Sequence, residues 1–153
     1  MNNKEPKKII TKKFNMIGVS KHVNWSDDMG KIVQQSQAEI NKVIGTISSV
    51  INTKMRIKYF YSESGSDKGF NYMEAVEVKD FKFIPDGFIA KELPESRYAV
   101  FNEKNGEEGT MGEYARKTWL PNSGHKEDYS ICGDLEVSFE DNNEEHEFWL
   151  PIK

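Results

Sequence analysis

Residues 29–51 read MGKIVQQSQAEINKVIGTISSVI, in which Met29, Ile32, Val33, Ser36, Ile40, Val43, Ile44, Ile47, Val50 and Ile51 recur at spacings of three and four. Apolar residues at that spacing fall on one stripe of a helix, with Gln, Glu and Lys on the other side. Asp27 and Asp28 stand just ahead of the stripe, where a short acidic side chain accepts from the first free helical amides. Asn52 stands at its end as a stop signal. The pattern predicts one long amphipathic helix that must lie on an apolar sheet.

The flanks supply that sheet. Residues 9–19 read as an extended segment ending near Gly18, and residues 55–61, MRIKYFY, as an aromatic-rich strand. A turn is expected over residues 62–69, followed by a strand over 71–78 and more extended chain over 81–84. Pro85, Asp86 and Gly87 break this run. Strands resume over 88–93 and 97–101, with a turn at 94–96 and a loop at 105–109. Met111, Tyr114, Ala115, Thr118 and Trp119 fit a second, shorter helix stopped by Pro121. Residues 135–139 alternate strictly, residues 140–145 form an acidic loop, and residues 146–152 form a last strand. The order is strand, helix, strand, strand, stated twice. It predicts an α+β fold with one helix per half.

The 153 residues suit one domain with its own core. Residues 1–6 are expected to be a disordered tail and 7–153 the domain. Apolar residues make up 37% and aromatics 12%, and the aromatic share argues against disorder. With 21 basic and 25 acidic residues the net charge is −4, which lacks the footprint of a nucleic-acid binder and leans towards cationic partners. One cysteine, Cys132, forms no internal disulfide. A reducing, cytoplasmic setting is the natural reading. No apolar run is long enough for a membrane helix, and no apolar segment follows Lys7 and Lys8 as in a signal peptide.

Much chemistry is missing. His22, His125 and His146 are scattered and one cysteine cannot build a zinc site, so neither metal nor cofactor is expected. GSDKG at residues 65–69 lacks the spacing and following helix of a phosphate loop and reads as a turn. No GxSxG elbow occurs. Cys132, with no histidine near it in sequence, reads as an inert small residue.

Four short motifs carry more. They are Pro94 with Tyr98-Ala99-Val100-Phe101, then Trp119-Leu120-Pro121-Asn122-Ser123-Gly124, then Asp134-Leu135-Glu136-Val137, and finally Trp149-Leu150-Pro151-Ile152. Ile17-Gly18 and Asn71-Tyr72 ahead of Ala75-Val76-Glu77-Val78 accompany them. In this order and separation they resemble the GyrI-like small-molecule-binding domain, the effector-binding domain of AraC-type and multidrug-sensing transcription regulators. The resemblance spans residues 7–153. It implies a pseudo-twofold domain of two βαββ halves, an antiparallel sheet with both helices on one face, and a ligand cleft between the halves. The short Gly/Glu-rich segment 102–113 departs from the family pattern, and no attached DNA-binding domain is expected.

Glu136 lies on the polar face of its alternating strand, opposite Leu135 and Val137. Periodicity alone reads it as a solvent-facing glutamate. The resemblance implies instead that it is the ligand-contacting carboxylate. A carboxylate walled by aromatics is costly unless a cation compensates, which would select lipophilic cations. Tyr72, Tyr98, Trp119 and Trp149 are the candidate aromatic partners, with Trp25 and Phe101 weaker. Each has core packing as its alternative, and Tyr98 and Phe101 must lie on opposite strand faces. The favoured function is a stand-alone, monomeric module that captures or senses amphipathic, often cationic, small organic molecules, with no direct nucleic-acid or membrane contact. Two alternatives stand beside it. One is a hydrolase of electrophilic small molecules using Glu136 and Tyr72. The other is an inhibitor acting on a protein partner such as a topoisomerase.

Overall fold

The computed structural model describes residues 5–62, 69–103, 111–131, 133–139 and 142–153, without side chains for 142–145. Six strands form the sheet: β1 (Lys8–Asn24), β2 (Met55–Tyr61), β3 (Gly69–Glu77), β4 (Ile89–Asn102), β5 (Gly133–Phe139) and β6 (Asn142–Ile152). Helix α1 (Met29–Val43) follows β1. The second helical segment follows β4 and has three contiguous pieces: α2 (Met111–Tyr114), a π-helical stretch (Ala115–Trp119) and α3 (Leu120–Ser123). Every pairing is antiparallel, in the order β1-β3-β2-β5-β6-β4. The fold is α+β, and its two halves repeat strand, helix, strand, strand. The counterpart strands β2 and β5 pair with each other at the centre.

The sheet also closes into a barrel, because β1 pairs with β4 along its first part and with β3 along its second. Gly18 sits where β1 passes from one partner to the other. A Cβ there would stand 2.1 Å from the carbonyl oxygen of Glu74, so only glycine admits the backbone of β3. This is why the strand runs on to Asn24 rather than ending at Gly18.

Alternation divides the side chains between two faces. The barrel interior is filled by Phe14, Met16, Ile57, Tyr59, Tyr98, Leu135, Val137 and Trp149, among others. On the outer face, α1 and its following turn lay Ile40 and Ile47 over Ile17, Val76 and Val78. The second helical segment lays Met111, Ala115 and Trp119 over Ala99, Phe101, Phe148 and Leu150. Both helices therefore lie on one face of the sheet, as expected.

Several boundaries differ from the sequence expectation. Asp28 does cap α1, its Oδ1 accepting from the Lys31 amide at 3.2 Å. The helix stops at Val43, however, passing through a 3₁₀ turn at Ile44–Thr46 that includes Gly45. The Thr46 hydroxyl donates to the Val43 carbonyl at 2.6 Å. Ile47 and Val50 keep the apolar stripe going without being helical, because the loop covers the same outer face. Val50 forms a bridge with Val78. Residues 81–84 are not a strand. Pro94 does not turn the chain but lies inside β4, where the register with β1 shifts between Lys12 and Phe14. A residue without an amide proton suits such a bulge. Pro121 does not stop the second helix. The preceding π turn, with the Leu120 amide bonded to the Ala115 carbonyl, widens the helix before the residue that has no N–H to give. The helix ends instead at Gly124, with φ of 80°. Residues 142–145, expected in a loop, belong to β6, with Asn142 paired to Phe139. Cys132 and the loop at 105–109 lie outside the described residues, as does most of the turn at 62–69.

Candidate functional site: a charged and aromatic cleft between the helices

α1 covers β1 and β3, and the second helical segment covers β4 and β6. The strands β2 and β5 are left between them, and their outward residues form the floor of a cleft. Register sets this floor. One row across the sheet runs Glu74, Lys58, Glu136, Phe148 on β3, β2, β5 and β6. The next row runs Tyr72, Phe60, Asp134. The cavity here has a volume of about 420 Å³ and is lined by Phe60, Glu103, Gly112, Glu113, Arg116, Lys117, Asp134, Glu136 and Phe148. A second hollow of about 340 Å³, lined by Phe60, Phe70, Gly133 and Asp134 among others, continues it towards the end of β2.

The floor is electrostatically tense. Glu74 is fully buried. Its Oε2 accepts from the Tyr72 hydroxyl and forms an ion pair with Lys58 Nζ at 3.7 Å, while its Oε1 has no hydrogen-bond partner among the described residues. Burial drives the Glu74 pKa above the usual carboxylate range, against the opposing pull of Lys58 and the Tyr72 hydrogen bond. Burial likewise raises the Tyr72 phenol, with Glu74 and then Glu136 adding to the effect. Arg56, buried on the same strand face, donates to the carbonyls of Thr53 and Met55 and to Asn41 Oδ1 of α1.

The helical wall is pinned by Arg116. Its guanidinium donates to Asp134 on β5 and to Glu127, and its carbon lies 5.9 Å from the Phe148 ring centroid. Hydrogen bonding to Asp134 is the main cause that holds the guanidinium pKa above its ordinary value. Gly112 lets the helix approach closely, since a Cβ there would meet the Phe148 ring at 3.2 Å.

An aromatic track leads inward. Trp25 is 71% exposed and its ring lies 5.3 Å from Phe70. Phe70 is 6.2 Å from Phe60, and Phe60 stacks on Tyr72 at 5.5 Å.

Of the residues singled out from sequence, Glu136 and Tyr72 share this face of the sheet, and Trp25 touches Phe70, which lines the second hollow. Tyr98 and Trp149 do not join them. Both rings pack with Phe14 inside the barrel, at centroid separations of 5.5–5.8 Å. Each sits at the interior parity of its strand, the reverse of Glu136. Trp119 anchors the second helix against Phe101 and stacks on His125. Phe101 is buried in that same contact. Sequence reasoning missed Lys58, Phe60, Glu74, Arg116 and Phe148. The signal for Glu74 was present, because Tyr72, Glu74 and Val76 alternate on one face of β3. No group of three metal-ligating side chains occurs among the described residues.

A six-stranded antiparallel sheet of two like halves, with both helices on one face, is the arrangement the motifs implied. The model of the Cass2 family, integron-associated effector binding proteins, matches residues 9–152. The chain belongs to this family. No curated protein sequence matches it. Among solved structures, SAV2435 bound to tetraphenylphosphonium superposes with a TM-score of 0.69 at 14% identity, over 95% of this chain and 93% of that one. The C-terminal domain of EcmrR superposes at 0.66 with 12% identity, over 95% and 97%. The Cass2 integron cassette protein of Vibrio cholerae superposes at 0.57 with 12% identity, over 97% and 98%. At such identities the likeness speaks for the fold. The Cass2 family match makes this an effector-binding, small-molecule-binding domain related to those of transcription regulators. No helix among the described residues is long and apolar enough to cross a membrane.

Proposed function

We propose that this chain captures amphipathic, cationic organic molecules in the cleft between its helices, with Glu136 as charge partner and Tyr72, Phe60 and Phe148 as aromatic walls. One observation carries the reading: Glu136 lines a cleft of about 420 Å³ together with the rings of Phe60 and Phe148, and the fully buried Glu74 stands two strands away in the same row. Carboxylates held away from water are repaired by a cation and penalised by an anion. Ring faces add about 0.5–2 kcal/mol each for a desolvated cation. The complex of SAV2435 with tetraphenylphosphonium, a lipophilic cation, supports the same ligand class. Trp25, packed on Phe70, extends the aromatic surface that a bulky ligand meets first.

The test is calorimetric titration with tetraphenylphosphonium and with tetraphenylborate, two ions of nearly one shape and opposite charge. The cation is expected to bind saturably and the anion not at all. Glu136→Gln is expected to weaken the cation about tenfold, or ~1.4 kcal/mol. Equal binding of both ions, or an unchanged affinity in the variant, would overturn the reading.

A second reading is hydrolysis of electrophilic small molecules. It is favoured by the Tyr72–Glu74 hydrogen bond in a dry site near Glu136, since a phenol and two carboxylates form a proton-transfer set. Mass spectrometry of an epoxide or a strained-ring probe after incubation distinguishes it. Turnover lost in Tyr72→Phe supports it, and intact probe removes it.

A further inference from the structure

Asp134 stands where two hollows meet. It lines the cavity of about 420 Å³ together with Glu136, and with Phe60 it also lines the neighbouring hollow of about 340 Å³. Asp134 and Glu136 are two residues apart on β5, so alternation turns both to one face, about 7 Å apart along the strand. Arg116 holds Asp134 as a ligand would. Its Nη1 donates to Asp134 Oδ2 at 3.0 Å and its Nη2 donates to Oδ1, so the end of the guanidinium fork takes the carboxylate in two parallel bonds. The guanidinium carbon lies 5.9 Å from the centroid of the Phe148 ring, which also lines the cavity. A planar cation, a carboxylate and a ring face are the parts of an organic-cation site, and here the chain fills it with its own side chain. Lys117, which also lines the cavity, is turned to Glu113 at 2.8 Å on the exposed side of the helix.

The guanidinium has a second anchor. Its other edge donates from Nε to Glu127 Oε1 at 2.9 Å and from Nη2 to Oε2 at 3.2 Å. The Glu127 side chain is 13% exposed and that of Asp134 32%. The Asp134 end is therefore the more accessible one, and Arg116 keeps a complete two-bond pair with Glu127 when that end is given up. No buried charge is stranded by the exchange, which is the costly outcome when such a pair is broken. Arg116 also sits in the π-helical stretch Ala115–Trp119, a widened turn of the kind frequent at functional sites.

We propose that Arg116 is a built-in competitor for Asp134, and that the cleft admits ligands carrying a planar amidinium or guanidinium group, which take Asp134 through the same two N–H donors while Arg116 falls back on Glu127. This rests on the reading of the cleft as a cation site, and it names a second charge partner and a ligand class for that site. A quaternary ammonium or phosphonium has no N–H and cannot repeat the fork, so it gains charge attraction without the paired bonds. Release of Asp134 also frees the boundary at which the two hollows meet, beside the Phe60 ring that lines both.

The test titrates benzamidine and benzyltrimethylammonium, which share one ring and one charge, by NMR into wild type, Asp134→Asn, Arg116→Gln, Arg116→Lys and Glu127→Gln. Tetraphenylphosphonium is the probe of the cleft itself. Wild type is expected to prefer benzamidine about tenfold, and Asp134→Asn to lose that preference. Arg116→Gln is expected to strengthen benzamidine about tenfold, because the competitor is gone, and Arg116→Lys, which keeps the charge without the fork, by less. Glu127→Gln is expected to weaken benzamidine, because Arg116 then has no second carboxylate to hold. An unchanged preference in Asp134→Asn, or weaker benzamidine binding in whichever Arg116 variant folds, overturns this inference while tetraphenylphosphonium binding leaves the cleft reading intact. Failure of wild type to bind any of the three cations overturns both together.

Discussion

Lys58 on β2 and Glu136 on β5 stand directly opposite each other, one from each half of the chain. The two strands are counterparts in the repeated order of elements, and these facing positions carry opposite charges. The consequence is a polar axis across the floor of the cleft. Charge reversal tests it. Lys58→Glu places three carboxylates in one row and is expected to cost about 1 kcal/mol or more, from like charges directly across a strand pair. The double variant Lys58→Glu/Glu136→Lys restores the original count and is expected to recover most of that loss. Urea melts of the four proteins give the coupling, and additive losses would mean that the two residues do not interact.

Glu74 makes stability depend on pH in a defined direction. Its folded pKa is raised above 4.5, chiefly by burial. Between the unfolded pKa and the raised folded value, the folded state holds a proton that the unfolded state has lost. Stability therefore falls as pH rises from about 4.5 through the raised folded value. Glu74→Gln removes this slope. The variant is expected to match wild type near pH 4 and to melt higher at pH 8, by about 2–4 °C per kcal/mol recovered. Thermal melts at the two pH values decide it, and a variant that melts lower at pH 8 contradicts the assignment.

Gly18 is a place where one methyl group matters. Gly18→Ala forces a Cβ to within 2.1 Å of the Glu74 carbonyl oxygen, which is backbone and cannot step aside. A loss of about 3 kcal/mol or more is expected. Gly45→Ala, where an added Cβ meets nothing within 4 Å, is expected to be neutral or stabilising by up to about 1 kcal/mol. Denaturant midpoints of the pair separate close approach from a general intolerance of alanine.

The three tryptophans report on different compartments. Trp25 is 71% exposed, whereas Trp119 and Trp149 are 9% and 7% exposed. Trp25→Phe is expected to abolish most acrylamide quenching and most of the quenching by a bound aromatic cation. Quenching that survives the substitution would place the ligand beside Trp119 or Trp149 instead.

Several features were legible because they are local. The α1 stripe, its Asp28 cap and the alternation of β5 depend on neighbours within a few residues, and periodicity reports them faithfully. The end of α1 was not legible. The apolar spacing continues through Ile47 and Val50, although Gly45 and Thr46 have already released the helix and tertiary packing alone holds those residues. Pro94 and Pro121 read as breaks in sequence, yet a bulge and a π turn absorb them.

The sequence by itself determined the order of elements, the family motifs, and the placing of Glu136 opposite the apolar face of its strand. It also put Tyr72 and Glu74 on one face of β3, since alternation is a property of a single strand. Tertiary structure alone decided which face of each strand meets the cleft and which fills the barrel, sending Tyr98 and Trp149 inward and Tyr72 and Glu136 outward. Aromatic residues occupy both faces, so composition cannot choose between them. It decided, too, that Lys58 lies between Glu74 and Glu136, because register is fixed by the pairing of strands far apart in the chain. Barrel closure arises in the same way, from the contact of β1 with β4, which no local pattern encodes.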